Sequence, residues 1–212
     1  MTYQQFKTGI DYYIDTIIQD LDVMESIAEK VAMEEMEYFV KNGRRRWPTT
    51  VQQGPNDNPR HYSPSRCSIP LCMVCFAVMD FVGALIDDRE NLTMDFKIDQ
   101  FKRHSHLFFN KLSKRDDLNR EDSLDKFQNF FRHSIMHSFL PKKGTGVGYE
   151  VDYSKFIDES SLFIHDRQGA TALNVKFLVA TVRNGLYTLK EIVNNEESCV
   201  DLLPRYEKII NV

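Results

Sequence analysis

The chain has 212 residues, 42% of them hydrophobic and 27% charged, which is the size and composition of a globular protein that can bury its own core. Its net charge of −4 argues against a protein that coats duplex DNA, although a local basic patch could still bind nucleic acid. We predict a single all-α domain over residues 1–212: a four-helix bundle with a small β-hairpin and an additional C-terminal helix.

Residues 1–41 are predicted to form the first long helix, which begins at a capping box of Thr2 and Gln5. Apolar residues recur along it in steps of three and four, which predicts packing against neighbouring helices or a second subunit. This seam comprises Ile14, Ile17, Leu21, Met24, Ala28 and Val31. The first residues lack the basic and apolar regions of a signal peptide, so we expect a cytoplasmic protein.

Residues 42–65 contain several prolines and glycines without periodicity, and we predict a flexible, basic loop there. The loop carries Arg44, Arg45, Arg46 and Trp47, a cationic cluster beside an aromatic ring. Such a cluster is either a solvated basic run or a set of phosphate contacts with a stacking ring for single-stranded RNA.

Residues 66–140 are predicted to hold the remaining bundle helices. Ser68 and Pro70 fit the start of a second helix that runs to about Ile86. Its apolar run is of borderline length for a membrane span, but Asp80 lies well inside it, so we predict a buried helix and no membrane contact. We expect a third helix over 95–112, and a fourth from about 122 that ends before Pro141.

Two features of the second helix leave alternatives open. A buried Asp80 needs a partner, for which we expect Arg132, unless the carboxylate faces a solvent-filled gap. Cys72 and Cys75 have zinc-like spacing, but they lie in an apolar helix without a second pair nearby, so we favour buried thiols that pack as small apolar groups.

The segment 141–212 is predicted to contain the hairpin and the C-terminal helix. Residue types alternate along 147–151 with the period of two that is typical of a short strand. Residues 161–165 are the expected partner strand. The glycines at 144, 146 and 148 follow a helix and precede a strand, the reverse of a dinucleotide-binding loop, so we predict a turn. Lys142 and Lys143 beside it could contact a phosphate backbone. Asn174 is expected to cap a fifth long helix, and the tail adds one short helix.

The fourth helix ends in the segment Arg132-His133-Ser134-Ile135-Met136-His137. On a helical wheel with Arg132 at 0°, His133 lies at about 100° and His137 at about 140°, so the imidazoles share a face. Histidine can take a proton from a ribose 2′-hydroxyl near neutral pH, and arginine can stabilise the charge that develops on phosphorus. Such a reaction needs no metal.

The same segment also has interpretations that involve no catalysis on RNA. Arg132 could pair with a carboxylate while the histidines favour the helix C-terminus as cations. His133 and His137 could instead hold a metal with a third ligand such as His104 or His106, but Arg132 beside a cation would be unfavourable. We therefore predict no metal and no cofactor.

An Arg, a following polar residue and a His four to six residues beyond the Arg resemble the signature of the HEPN superfamily. Arg132 matches the motif Arg, His133 the polar residue and His137 the motif His, on the last helix of a four-helix run. The resemblance covers about residues 2–140. It implies a helical bundle, often dimeric, and for many members a metal-independent endoribonuclease of toxin–antitoxin, phage-defence or RNA-processing systems.

Two functions follow as hypotheses. The first is an endoribonuclease with Arg132, His133 and His137 catalytic at a dimer cleft, and with Asp80 and Ser138 as supporting residues. The second is a non-catalytic HEPN-like module that binds nucleotide, RNA or a protein partner. The expected partners are a second copy of the chain, RNA or nucleotide, and an antitoxin or other protein.

Overall fold

A computed structural model describes residues 1–42, 50–51, 60–63, 68–88, 98–113, 124–125, 127–132, 135, 145–150, 162–165 and 171–210. These residues are mostly helical, as predicted. The helices are α1 (Tyr3–Asn42), α2 (Ser68–Ile86), α3 (Ile98–Leu107), α4 (Val175–Val193) and α5 (Leu202–Ile210). Two π-helical segments add Phe108–Leu112, which continues α3, and Phe127–Arg132.

The capping box at the start of α1 is confirmed. The backbone N–H of Thr2 donates to Oε1 of Gln5 at 2.9 Å, and the N–H of Gln5 donates to Oγ1 of Thr2 at 3.2 Å. These two bonds satisfy donors that have no partner inside a helix, and so fix where α1 begins.

The predicted apolar seam of α1 lies largely inside the protein. Ile14, Leu21 and Ala28 are completely buried, while the alternate members of the seam are half-buried. Some large apolar side chains of α1 are instead exposed, among them Val23 and Ile27. The seam is therefore used mainly for packing within the chain.

Helix α2 is a core helix with an apolar circumference. Among the described residues it is the one helix that is long and apolar enough to cross a membrane, a test that core helices of soluble proteins also meet. Its fully or almost fully buried side chains include Leu71, Cys72, Cys75, Phe76, Val78, Met79, Val82 and Leu85. Burial of this kind favours the predicted core helix, and it confirms that Cys72 and Cys75 are buried.

Four phenylalanines form a cluster around Phe127. Its ring lies 5.3 Å from the Phe76 ring and 5.7 Å from the Phe109 ring, both edge-to-face, and stacks on Phe101 with centroids 6.2 Å apart. All four rings are almost completely buried. The cluster joins α2, α3 and the two π-helical segments, and edge-to-face rings add to the free energy of burial.

The β-structure differs from the predicted hairpin. A five-stranded sheet has the order β1-β2-β3-β5-β4. Its strands are β1 (Thr50–Val51), β2 (Arg60–Ser63), β3 (Thr145–Glu150), β4 (Phe163–His165) and β5 (Thr171–Asn174). The two strands expected to pair, β3 and β4, are separated by β5, which is parallel to β3 and antiparallel to β4.

The predicted hairpin of strands at 147–151 and 161–165 is therefore wrong, and strand also occurs outside residues 141–212. β1 and β2 fall in the stretch 42–65, for which we predict a loop, and β2 pairs with β3. These strands have two and four residues, too few for alternation to be recognised among prolines and glycines. Gly146 and Gly148 lie within β3 and do not form the predicted turn.

The buried face of the sheet carries Val147, Leu173 and Phe163 in register across β3, β5 and β4. The chain then passes from β5 into α4 at Asn174, whose Oδ1 accepts the N–H of Phe177 at 3.2 Å. This bond confirms Asn174 as the N-cap.

Contacts divide the chain into two compact units. The helical unit comprises Met1–Asp20, Cys75–Gln128 and Thr181–Val212. The sheet unit comprises Leu21–Val74 and Asn129–Ala180, and all five strands belong to it.

Candidate functional site

The predicted catalytic motif is only partly described. Arg132 ends the π-helical segment Phe127–Arg132, while its side chain, and the whole of His133, His137 and Ser138, lie outside the described residues. Ile135, between the two histidines, is helical and completely buried. The motif therefore has one helical, buried residue, Ile135, between its two histidines.

The predicted RNA-contacting residues Arg44, Arg45, Arg46, Trp47, Lys142 and Lys143 also lie outside the described residues. The strands that follow them in the sequence are described. β1 begins at Thr50 and β3 at Thr145, and both are antiparallel to β2, so they run in the same direction.

Asp80, the predicted supporting carboxylate, has a partner on α3. Its Oδ1 lies 2.7 Å from Nδ1 of His104, and the Asp80 side chain is 22% exposed. The carboxylate accepts this hydrogen bond, so the proton is assigned to Nδ1 of the imidazole. The contact that the structure describes for Asp80 is thus with His104, while the side chain of Arg132, the partner expected from the sequence, lies outside the described residues.

A second carboxylate approaches the same imidazole from the other side. Asp87 follows directly after α2, is completely buried, and its Oδ2 lies 3.9 Å from Nε2 of His104. Arg103 binds Asp87 with two parallel bonds, Nε to Oδ2 at 2.9 Å and Nη2 to Oδ1 at 3.0 Å. A bidentate guanidinium is a geometry suited to a buried carboxylate.

The Arg103 guanidinium also donates to Asp88, from Nη2 to Oδ1 at 3.1 Å. The hydrogen bonds and charge of Asp87, with those of Asp88, raise the pKa of Arg103 despite its partial burial. Arg103 therefore stays a cation, and it neutralises a carboxylate that would otherwise be costly to bury. We call the group Asp80, Asp87, Arg103 and His104 the α2–α3 polar cluster.

Gly83 sets the distance between the helices at this cluster. A Cβ atom at Gly83 would lie 2.3 Å from Cβ of His104 and 2.7 Å from its backbone oxygen. Only glycine allows the backbones of α2 and α3 to approach this closely. The close approach places the imidazole between Asp80 and Asp87.

The sequence contained part of this information. A helical wheel places Asp80, Gly83 and Asp87 at about 0°, 300° and 340°, one polar stripe on an apolar helix. From the sequence, His104 is a candidate only as a third metal ligand, and no local pattern points to Asp87 or Arg103. The pairing of α2 with α3 was needed to find them, and no periodicity within one helix encodes it.

The cluster is suited to holding helices together and not to binding a substrate. The His104 side chain is 8% exposed and Asp87 is fully enclosed. The two carboxylates also face opposite nitrogens of the ring, and among the residues described no group of three or more His, Cys, Asp or Glu side chains could hold a metal ion.

Comparison of the chain with known protein families, with curated proteins and with solved structures finds no match. The HEPN resemblance therefore rests on Arg132, His133 and His137 and on the helices that precede them.

Proposed function

We propose that the chain is a HEPN-like, metal-independent endoribonuclease, in the cytoplasm, that cleaves RNA by attack of a ribose 2′-hydroxyl on the adjacent phosphate. The observation that carries the proposal is the sequence Arg132-His133-x3-His137 at the end of a helical segment anchored in the core by Phe127. His137 transfers the proton, Arg132 stabilises the charge of the transition state, and His133 assists.

The burial of Ile135 supports an outward-facing pair of histidines. In a continuous helix Ile135 lies at about 300° on the wheel, whereas His133 and His137 lie at about 100° and 140°. The imidazoles would then be about 160–200° away from the buried side chain, on the face that a substrate can reach.

The directions of the strands support a common RNA-binding region. In the sequence, the basic segment Arg44–Trp47 precedes β1 and the pair Lys142–Lys143 precedes β3. Because β1 and β3 run in the same direction, the chain enters both strands from the same end of the sheet. We propose that the two basic segments contact the phosphates of RNA near this end.

Asp80 is kept as a supporting residue of the proposed site, with His104 bound to it at 2.7 Å. Ser138, beside His137, is kept as a supporting residue of the proposed site.

A homodimer is part of the proposal, since the resemblance implies a cleft shared by two subunits. Val23 and Ile27 on α1 are 61% and 47% exposed, which leaves apolar surface for such a contact. Light scattering at high micromolar concentration should give twice the mass of the chain. A monomer at that concentration would contradict the shared cleft.

The decisive experiment is incubation of the purified protein with a mixed RNA pool, with and without EDTA. Cleavage should be unchanged by EDTA, because no proposed step uses a metal. A DNA oligonucleotide of a cleaved sequence should remain intact, because it lacks the 2′-hydroxyl. Cleavage that disappears with EDTA, or that extends to DNA, would contradict the mechanism.

The alternative is a non-catalytic HEPN-like module that binds nucleotide, RNA or a protein partner such as an antitoxin. It is favoured if the folded protein binds RNA or a partner but cleaves no RNA in the pool, and if the substitution of His137 leaves that binding unchanged.

A further inference from the structure

Helix α1 carries a second stripe of side chains, on the face away from its buried seam. Counted from Thr16, the stripe advances by four and three residues in turn, which is the heptad spacing of a helix that packs against another helix. Its members are Thr16, Asp20, Val23, Ile27, Lys30 and Glu34. All of them except the half-buried Thr16 are exposed. We call this set the outer stripe of α1.

A helical wheel separates the outer stripe from the core. With Val23 at 0°, the other members of the stripe lie between about 340° and 60°. The completely buried Ile14, Leu21 and Ala28 lie at about 140–180° on the same wheel. The outer stripe therefore faces away from the core of its own chain.

Two large apolar side chains lie at the centre of the outer stripe. Val23 is 61% exposed and Ile27, one turn further along, is 47% exposed. The positions on either side of the stripe are uncharged, although α1 as a whole is rich in acidic residues. They are Ile17, Met24 and Val31 on one side and Gln19, Ser26 and Met33 on the other. A helix face with apolar residues at its centre and no charge beside them is suited to contact with another helix.

Two opposite charges lie at equal distances from this apolar pair. Asp20 precedes Val23 by three residues, and Lys30 follows Ile27 by three residues. Within the described part of the chain neither charged side chain forms an ion pair. The stripe is therefore symmetrical in spacing about its midpoint and opposite in charge on its two sides.

We propose that the outer stripe is the interface between two copies of this chain, with their α1 helices antiparallel about a twofold axis midway between Val23 and Ile27. In this register Val23 packs on the partner's Ile27, and Asp20 pairs with the partner's Lys30. Each contact occurs twice, because a twofold interface uses the same surface of both subunits. The proposal rests on the homodimer of the proposed function and assigns the surface through which it forms.

Charge decides the direction of packing. In a parallel pair in register each residue of the stripe would lie opposite its own copy, so that Asp20 would face a second carboxylate and Lys30 a second ammonium. Like charges in a helix–helix contact repel each other, whereas the antiparallel register places every carboxylate opposite a cation. At the ends of this register the Thr16 hydroxyl can donate to the carboxylate of the partner's Glu34.

The same pattern selects a second copy as the occupant. When the outer stripe is reversed, its apolar pair coincides with itself and its acidic position coincides with its basic one. The stripe is thus complementary to itself in both shape and charge. The apolar pair provides most of the affinity, and the ion pairs set the register, since exposed ion pairs contribute more to specificity than to affinity.

The test uses two charge-reversal variants of the full chain, measured by sedimentation velocity at high micromolar concentration without RNA. In Asp20→Lys two cations would face each other, and in Lys30→Asp two anions would. Each variant alone should therefore associate at least about tenfold more weakly than the unsubstituted protein. An equimolar mixture of the two variants restores opposite charges in both pairs and should dimerise as the unsubstituted protein does.

Two further variants complete the test. Ile27→Glu should abolish the dimer, because it places a carboxylate at the centre of the apolar pair. Glu191→Lys, a charge reversal at an exposed position of α4, is the matched control and should leave the dimer unchanged. Because the substituted positions are all exposed, each monomer should stay folded, which circular dichroism checks.

Several outcomes would overturn the proposal. Dimers of full strength in either charge-reversal variant alone, or a mixture that stays monomeric, would exclude the antiparallel register. An unsubstituted protein that is monomeric would exclude a second copy and leave the stripe to a helix of another protein. RNA cleavage is measured separately: a dimer that follows this pattern without cleaving RNA supports the interface and contradicts the proposed function. Cleavage by a protein whose association ignores these charges contradicts the interface alone.

Discussion

The α2–α3 polar cluster and the two basic segments of the sequence use charged residues in different ways. In the cluster, Asp80, Asp87 and Arg103 are bound to one another or to His104 at distances of 2.7–3.0 Å. In the sequence, the cations Arg44–Arg46 and Lys142–Lys143 have no acidic neighbours beside them. Charges that neutralise each other hold a fold, whereas unbalanced cations are available to an anion such as RNA.

This contrast predicts different roles for His137, in the motif, and His106, on α3. His137→Ala should lower RNA cleavage about 10²–10⁴-fold, because general acid–base catalysis contributes that much. His106→Ala, on α3, is the matched control and should leave the rate within about twofold, since His106 bonds to Asn110 and lies outside the motif. Equal rates for both variants would contradict a catalytic role for His137.

Arg132→Ala should separate catalysis from binding within the same motif. It should lower turnover more than RNA affinity, because its contact strengthens as negative charge develops on phosphorus. Single-turnover cleavage rates and RNA titrations would measure the two effects separately. A loss confined to affinity would show that Arg132 only holds the substrate.

The largest effect on stability should come from the aromatic cluster of the helical unit. Phe127→Ala removes a ring that is 1% exposed and contacts three other phenylalanines, and should lower the free energy of unfolding by about 3–5 kcal/mol. Tyr12→Ala, at a position 75% exposed, should change it by less than about 0.5 kcal/mol. Urea unfolding of both variants measures the difference.

The helices and the sheet also differ in how much of their structure could be predicted from the sequence. Helices α1, α2 and α4 follow from apolar spacing, and their starts from Thr2, Ser68 and Asn174, because these signals are local. The sheet could not be predicted, since β1 and β2 are short and the parallel pairing of β3 with β5 joins residues more than twenty positions apart. Pairing of this kind depends on tertiary context and not on the strand itself.

The two candidate groups of residues show the same limit. That Asp80 needs a buried partner could be predicted, because an unpaired carboxylate in an apolar helix is costly. That the partner is His104 could not, since the contact depends on the close approach at Gly83. The motif at Arg132 is recognisable from its residue spacing, and its catalytic role stays a prediction.

Gly83 tests whether this close approach is required. Gly83→Ala should lower the free energy of unfolding by about 1–3 kcal/mol, because the new methyl group would lie against the backbone of His104, which cannot move aside. Gly9→Ala in α1 is the control: its nearest neighbour would be the Tyr206 hydroxyl at 3.4 Å, and alanine is the better helix former. It should be neutral or stabilising. A neutral Gly83→Ala would mean that α2 and α3 are less tightly apposed.

The smallest expected effect on stability is that of removing an N-cap, and it can be compared between Asn174 and Thr2. Asn174→Ala removes the acceptor for the Phe177 N–H, which is buried, so the free energy of unfolding should fall by about 1–2 kcal/mol. Thr2→Ala removes an exposed cap at the chain terminus, where water can replace the lost bond to Gln5, and should cost no more than about 0.5 kcal/mol. Asn174→Asp keeps an acceptor and adds a favourable charge at the start of α4, so it should recover most of the loss.

Hydrogen exchange at the Phe177 amide would locate the effect, since the exchange rate should increase in Asn174→Ala and be largely restored in Asn174→Asp. If both alanine variants cost the same, burial of the cap would not set its contribution, and the sheet unit would depend on Asn174 no more than α1 depends on Thr2.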